Sequence, residues 1–184
     1  MWKKTIPLLL AFLLIAAFIA IPASAAPEVA DLQVDQTRMK DWKELTLRCD
    51  LIVVGLTDER HQRFPTTKRV PSGRLVNYVQ TVQIERVIKG SAPSRVQLLS
   101  TGVEPLPDAS DPANLSYPGP LGEGQYLLFL KKVNRTDLYS IVGLWQGVYP
   151  LYEGKTVSLR GQGFAELNQR TIRQVENKLR NVQR

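Results

Sequence analysis

One thiol, Cys49, and one imidazole, His61, are the chain's only side chains of their kind. A Cys–His nucleophile pair requires both groups on rigid elements and a third group to orient the base. Cys49 closes an apolar stripe, whereas His61 stands in a polar run, so the expected arrangement is a buried, inert thiol and a mobile histidine. A zinc centre needs three or four such ligands at close spacing, and one cysteine with one histidine does not supply it. Glu104, Asp108 and Asp111 could attract calcium, but Pro107 and Pro112 interrupt them and their spacing fits no EF-hand, which leaves a solvated acidic loop. A glycosidase needs two carboxylates on rigid elements, and only Asp50 and Glu85 lie on strand-like segments. Gly161-Gln162-Gly163-Phe164 opens a helical pattern as a phosphate cradle does, yet it lacks a third glycine or a following lysine and reads as a turn. The expectation is no catalytic residue, no cofactor and no metal.

Recognition is better served by the cations and aromatics. Lys68 and Arg69 form one basic cluster, and Lys131, Lys132 and Arg135 form another. Arg170, Arg173, Lys178, Arg180 and Arg184 are spread along the C-terminal helical pattern. With Tyr117, Trp145 and Tyr152, the first two clusters make the candidate binding surface: Lys68, Arg69, Tyr117, Lys131, Lys132, Arg135, Trp145 and Tyr152. Trp145 and Tyr149 also suit packing in an aromatic-poor core.

The compartment follows from the first 25 residues. Lys3 and Lys4 precede an apolar run from Ile6 to Ile21, and Ala23-Ser24-Ala25 has the small-x-small form read by signal peptidase. The run is shorter than the ~20 residues that span a bilayer. Its removal takes two lysines and no acid, so the formal charge of +7 becomes +5. An exported chain with a single cysteine has no internal disulfide and must be held by its core. The expected ligand is an anionic cell-envelope polymer or an extracellular protein, and nucleic acid is not expected.

These side chains need elements to hold them. Residues 26–36 read as a flexible lead-in, and residues 37–184 as one domain. Met39, Trp42, Leu45 and Cys49 recur at helical spacing and run into the strand Leu51-Ile52-Val53-Val54. Residues 58–74, with Pro65, Pro71 and Gly73, read as a mobile connection. Val76, Tyr78, Val82 and Ile84 then alternate with Asn77, Thr81, Gln83 and Glu85, apolar on one face and wet on the other, until the alternation slips at Arg86-Val87-Ile88. A strand at 95–100 precedes a long loop over 102–124. Gly124 to Leu130 is too apolar for a one-sided strand. Shorter strands follow in 138–149 and 156–159, and residues 164–183 read as an amphipathic helix with Phe164, Leu167, Ile172, Val175, Leu179 and Val182 on its apolar side. The fold class expected is mainly β: a five- to six-stranded antiparallel barrel with a helix before the first strand and another at the C-terminus.

Three segments carry a resemblance: Cys49-Asp50-Leu51-Ile52-Val53-Val54-Gly55, Val82-Gln83-Ile84-Glu85-Arg86-Val87-Ile88-Lys89-Gly90, and Gly124-Gln125-Tyr126-Leu127-Leu128-Phe129-Leu130. In this order they resemble the netrin-module and metalloproteinase-inhibitor (TIMP-like) OB-fold superfamily, in particular its bacterial exported members. Tyr139 and Trp145-Gln146-Gly147-Val148-Tyr149-Pro150 fit the hairpin that follows. The resemblance covers about residues 40–150 and implies an OB-like Greek-key barrel. It does not imply protease inhibition, which in that superfamily uses a disulfide-tied N-terminal cysteine; here the mature start reads Ala26-Pro27-Glu28. The functional expectation is an exported, non-catalytic binding module, with an envelope-polymer hydrolase or a structural envelope component as alternatives. Intact-mass measurement of exported protein is expected to give a chain starting at Ala26; recovery of residues 1–25 on that material would refute the cleavage.

Overall fold

The computed structural model describes residues 28–182, so the segment expected to be a signal peptide lies outside the described residues. Seven strands form one sheet: β1 (Leu51–Val70), β2 (Gly73–Lys89), β3 (Arg95–Glu104), β4 (Gly124–Lys132), β5 (Leu138–Ile141), β6 (Val148–Tyr152) and β7 (Lys155–Thr156). Three helices accompany them: α1 (Trp42–Arg48), α2 (Ala113–Ser116) and α3 (Ile172–Arg180). β1 is flanked by β2 on one side and β4 on the other; β2 continues to β3, β3 to β5, and β5 back to β4, which also pairs with β6. The sequence pattern predicts an antiparallel sheet, and one pair departs from it: β3 and β5 run parallel, Gln97 to Leu99 against Leu138 to Ser140. No helix among the described residues is long and apolar enough to cross a membrane.

The centre is β4. Leu127, Leu128, Phe129 and Leu130 have no exposed surface. Successive side chains of a strand point to opposite faces, and each face meets its own cluster. Leu128 and Leu130 pack with Leu51, Val53, Val82, Leu98 and Val148. Leu127 and Phe129 pack with Trp42 and Leu45 from α1, Val175 and Leu179 from α3, and Tyr149. Both helices therefore cover the same side of the sheet.

Two devices fasten that cover. Asp41 caps α1 by accepting from the Glu44 amide at 2.7 Å, and at the other end the Lys89 ammonium donates to the Thr46 and Cys49 carbonyls at 2.7 and 2.6 Å. A cation on the final carbonyls of a helix satisfies groups that have no partner within it. Gly90 follows with φ +81°, and a Cβ there would stand 2.4 Å from the Asp50 carbonyl oxygen. The Lys-Gly pair is thus both a helix clamp and a close approach of two backbones. On α3, Thr171 and Gln174 form a capping box, and Glu176 pairs with Arg86 at 2.6 Å. The C-terminal helix is shorter than the sequence pattern suggests, because residues 164–170 turn and bond back to Thr156 before α3 begins.

The largest departure from expectation is in residues 58–74. They form no mobile connection: β1 and β2 run on as a long hairpin to a two-residue turn at Pro71-Ser72, Val70 facing Gly73 and Arg69 facing Arg74. The polar composition was misleading because this arm leaves the core, so its β1 side chains are mostly exposed. Gly55 marks the departure, where a Cβ would lie 2.6 Å from Val82 Cγ1 and 2.8 Å from the Gln83 carbonyl oxygen. The ladder shifts there, again between Thr57 and His61, and again between Pro65 and Arg69, while the expected slip near Ile88 occurs between Ile52 and Val53. The 102–124 loop is also shorter than expected, since β3 continues to Glu104 and α2 interrupts the remainder.

Replacing Phe129 by Ala is expected to cost ~3–5 kcal/mol in denaturant unfolding, because the vacated volume lies between β4 and two helices. Truncation after Gly163 should also lower the melting temperature; an unchanged melt would mean that α3 contributes no packing.

Candidate functional site

The outward faces of β1, β2 and β3 extend beyond the core along the arm, and a groove of about 450 Å³ lies there. Its floor includes Leu75, Asn77 and Thr101; Lys68 rises from β1, Tyr117 follows α2, and residues Leu32 to Gln36 make the opposite wall. That wall is the segment expected to be a flexible lead-in. It is anchored instead: the Asn77 amide donates to the Val29 and Leu32 carbonyls at 2.8 and 2.9 Å, and its Oδ1 accepts from Thr101 Oγ1 at 2.7 Å. Asn77 is 1% exposed, so the β2 face read as wet is covered at this end and open only from Thr81 onward. A buried amide with donors and acceptor matched is stable in place and fixes what it touches.

The other face of β2 holds the remaining wall. Gln80 donates to the Asp58 and Leu121 carbonyls at 2.7 and 2.6 Å and accepts from the Leu121 amide at 2.9 Å, which pins the end of the loop carrying Tyr117. Gly102 and Gly119 pack against each other, a Cβ on Gly102 falling 3.0 Å from the Gly119 Cα and 2.9 Å from the Tyr78 ring. The Trp145 indole N–H donates to the Asn114 carbonyl at 2.7 Å and holds α2 in place.

Within the groove the titratable groups are few. The Thr37 hydroxyl and amide hold the Asp35 carboxyl below its usual range. The Lys68 ammonium, the Gln33 amide and the Tyr117 hydroxyl are not engaged by other described residues. The groove therefore offers one cation, one carboxylate and several neutral hydrogen-bonding groups above a floor of Leu75 and the mutually bonded Asn77 and Thr101.

The eight residues expected to form one binding surface do not come together. Lys68 and Tyr117 meet in the groove, and Arg69 adjoins it at the end of the arm. Lys131 and Lys132 are the last two residues of β4, where it meets the start of β1, and Arg135 follows in the turn to β5; the Lys132 ammonium faces Asp137 at 3.5 Å. Tyr152 ends β6, 69% exposed, and Trp145 is half-buried on the turn contacting α2. Composition grouped these residues, but twenty residues of extended β1 separate its two ends. Asn77 and Thr101 were missed; the signal available was an asparagine, a poor strand former, between Val76 and Tyr78 in a strong strand pattern.

Apart from Asp108, the acids singled out in the sequence and the histidine have structural partners. Glu104 accepts from the Arg63 guanidinium and from the Tyr78 hydroxyl, 2.6 Å in the latter case, and these bonds, Arg63 first, hold its carboxyl below the ordinary range. Asp111 accepts from Ser72 Oγ at 2.6 Å and from the Ala113 amide at 2.7 Å. Asp50 accepts from the Lys132 amide and Glu85 from the Gln125 amide side chain, at 2.9 and 2.5 Å. His61 stands edge-on to the Tyr78 ring, 5.2 Å between centroids. Among the described residues no group of three His, Cys, Asp or Glu side chains is placed to hold a metal ion.

Cys49 is 2% exposed, its thiol donates to the Leu45 carbonyl, and burial pushes its pKa up to about 12. A thiolate-seeking reagent is expected to label it only after denaturation; labelling of the folded protein within minutes would contradict this placement. No protein-family model, no curated protein and no solved structure matches the chain.

Proposed function

We propose that the protein is an exported, non-catalytic binding module whose ligand, a linear cell-envelope polymer, lies in the groove between the lead-in and the hairpin arm. The observation that carries this reading is the meeting of Lys68 and Tyr117, distant in sequence, over a floor of satisfied polar groups. A concave site of this size, with few charges and convergent hydrogen-bonding groups, suits a hydroxyl- or amide-bearing chain. Lys68 would take an acidic group of such a chain, and Tyr117 would provide an aromatic face and a hydroxyl.

The scaffold belongs to the same proposal. Pairings that pass from β1 through β2, β3, β5 and β4 and return to β1 support an OB-like Greek-key barrel. In barrels of that kind the face of strands 2 and 3 binds oligosaccharides and oligonucleotides, and the groove takes Leu75 and Asn77 from β2 and Thr101 from β3. The partner class stays within the envelope because export, read from residues 1–25, delivers the chain there.

The test is calorimetric titration of the exported protein with soluble fragments of wall polymer. Wild type should bind, and Lys68→Ala and Tyr117→Ala should each weaken binding about tenfold, the loss of roughly one charged or stacked contact, with unchanged melting temperatures. Wild-type affinity in both variants would exclude the groove.

A further inference from the structure

The far end of the hairpin arm combines apolar exposure with positive charge that has no partner. The loop from Glu104 to Asp111 is fastened at both ends beside the β1–β2 turn: Arg74 lies opposite Glu104 in the ladder, and Ser72 Oγ donates to Asp111. That loop carries Leu106, 88% exposed, more than any other large apolar side chain among the described residues. Pro71, Lys68, Arg69 and Arg74 at the neighbouring turn are exposed as well. Arg69 and Arg74 face each other directly across the ladder, and like charges so placed repel. Neither they nor Lys68 form an ion pair among the described residues, whereas the two arginines farther down the arm do, Arg60 with Asp58 and Arg63 with Glu104. Of the acids at this end, Glu104 is engaged by Arg63 and Tyr78 and Asp111 by Ser72 and the Ala113 amide; Asp108 alone is exposed without such a bond.

We propose that this end is a docking tip for an anionic lipid bilayer, with Leu106 and Pro71 entering the headgroup region and Arg69, Arg74 and Lys68 meeting phosphodiester headgroups. Interfacial binding grows with the apolar area inserted and with attraction between basic residues and anionic lipid. Apart from Lys68, the tip contributes no side chain to the groove that would hold a polymer. It also lacks the packed apolar centre of a protein interface, about 800 Å² per partner. A single exposed leucine on a loop tethered beside a cationic turn instead matches a surface that is fluid, apolar below and negative above. The tip is separate from the groove in what it binds, although Lys68 borders both.

The experiment is sedimentation of the exported protein with vesicles of phosphatidylcholine alone and of phosphatidylcholine mixed with phosphatidylglycerol. The mixed vesicles should bind it at low salt and release it as salt rises. Arg69→Gln/Arg74→Gln should weaken binding about thirtyfold, the effect of two basic residues at a charged surface, and Leu106→Ser several-fold. The charge-matched Arg170→Gln/Arg173→Gln should bind as wild type, all variants should keep the wild-type melt, and Leu106→Ser should also keep groove affinity. The proposal is overturned if wild type ignores phosphatidylglycerol, if both double variants bind alike, or if Leu106→Ser has no effect. It is also overturned if soluble polyphosphate displaces the protein as readily as lipid at equal phosphate, which would make the tip a general polyanion site.

Discussion

Burial of β4 on both of its faces governs the rest of the structure. Four consecutive side chains from Leu127 to Leu130 lose all contact with water, and each such burial is worth about 1.5–3 kcal/mol. A strand of this kind needs cover above and below, so the chain has to supply strands for one side and helices for the other. β1 supplies both in succession, since Leu51 and Val53 join the inner cluster while Ile52 and Val54 join the helical one. The Lys89 clamp on α1 and the Arg86–Glu176 pair on α3 then tie the helices to the inner half of β2.

Away from that centre the balance of forces changes. The hairpin arm has little apolar surface to bury on its β1 side, and buried amides order it instead. Asn77 holds the lead-in, and Gln80 holds the end of the loop on the opposite face. The exposed ion pair of Arg60 with Asp58 adds little, because solvent screens it. Among the described residues the outer half of β1 pairs with no strand on its other edge; Pro65, two ladder shifts and its cations make that edge a poor template for another strand.

The groove is a consequence of this division. Core packing ends near Thr57, the strands continue, and the lead-in and the Tyr117 loop settle on them through polar contacts that leave space between. The reactive side chains are used structurally: the thiol is buried beside α1 and the carboxylates of Asp50, Glu85, Glu104 and Asp111 accept hydrogen bonds that position loops and strands. What is left in the groove is a set of hydrogen-bonding groups with one lysine, one carboxylate and one tyrosine.

The sequence by itself determined the elements whose pattern is local. The helical spacing of Met39, Trp42, Leu45 and Cys49, the unbroken apolar run of β4 and the slip near Ile88 are all legible because hydrophobic periodicity reports which side of an element is buried. Only the tertiary structure decided the fate of residues 28–36 and 58–74. Their polar composition matches a solvated loop, and what orders them is a ladder with β2 or a hydrogen bond from Asn77, partners a local window does not contain. The same holds for the site: Lys68 and Tyr117 could be named as candidates one at a time. That they share a groove, while Lys131, Lys132 and Arg135 stand at the other end of β1, depends on strand length and register, which long-range pairing sets.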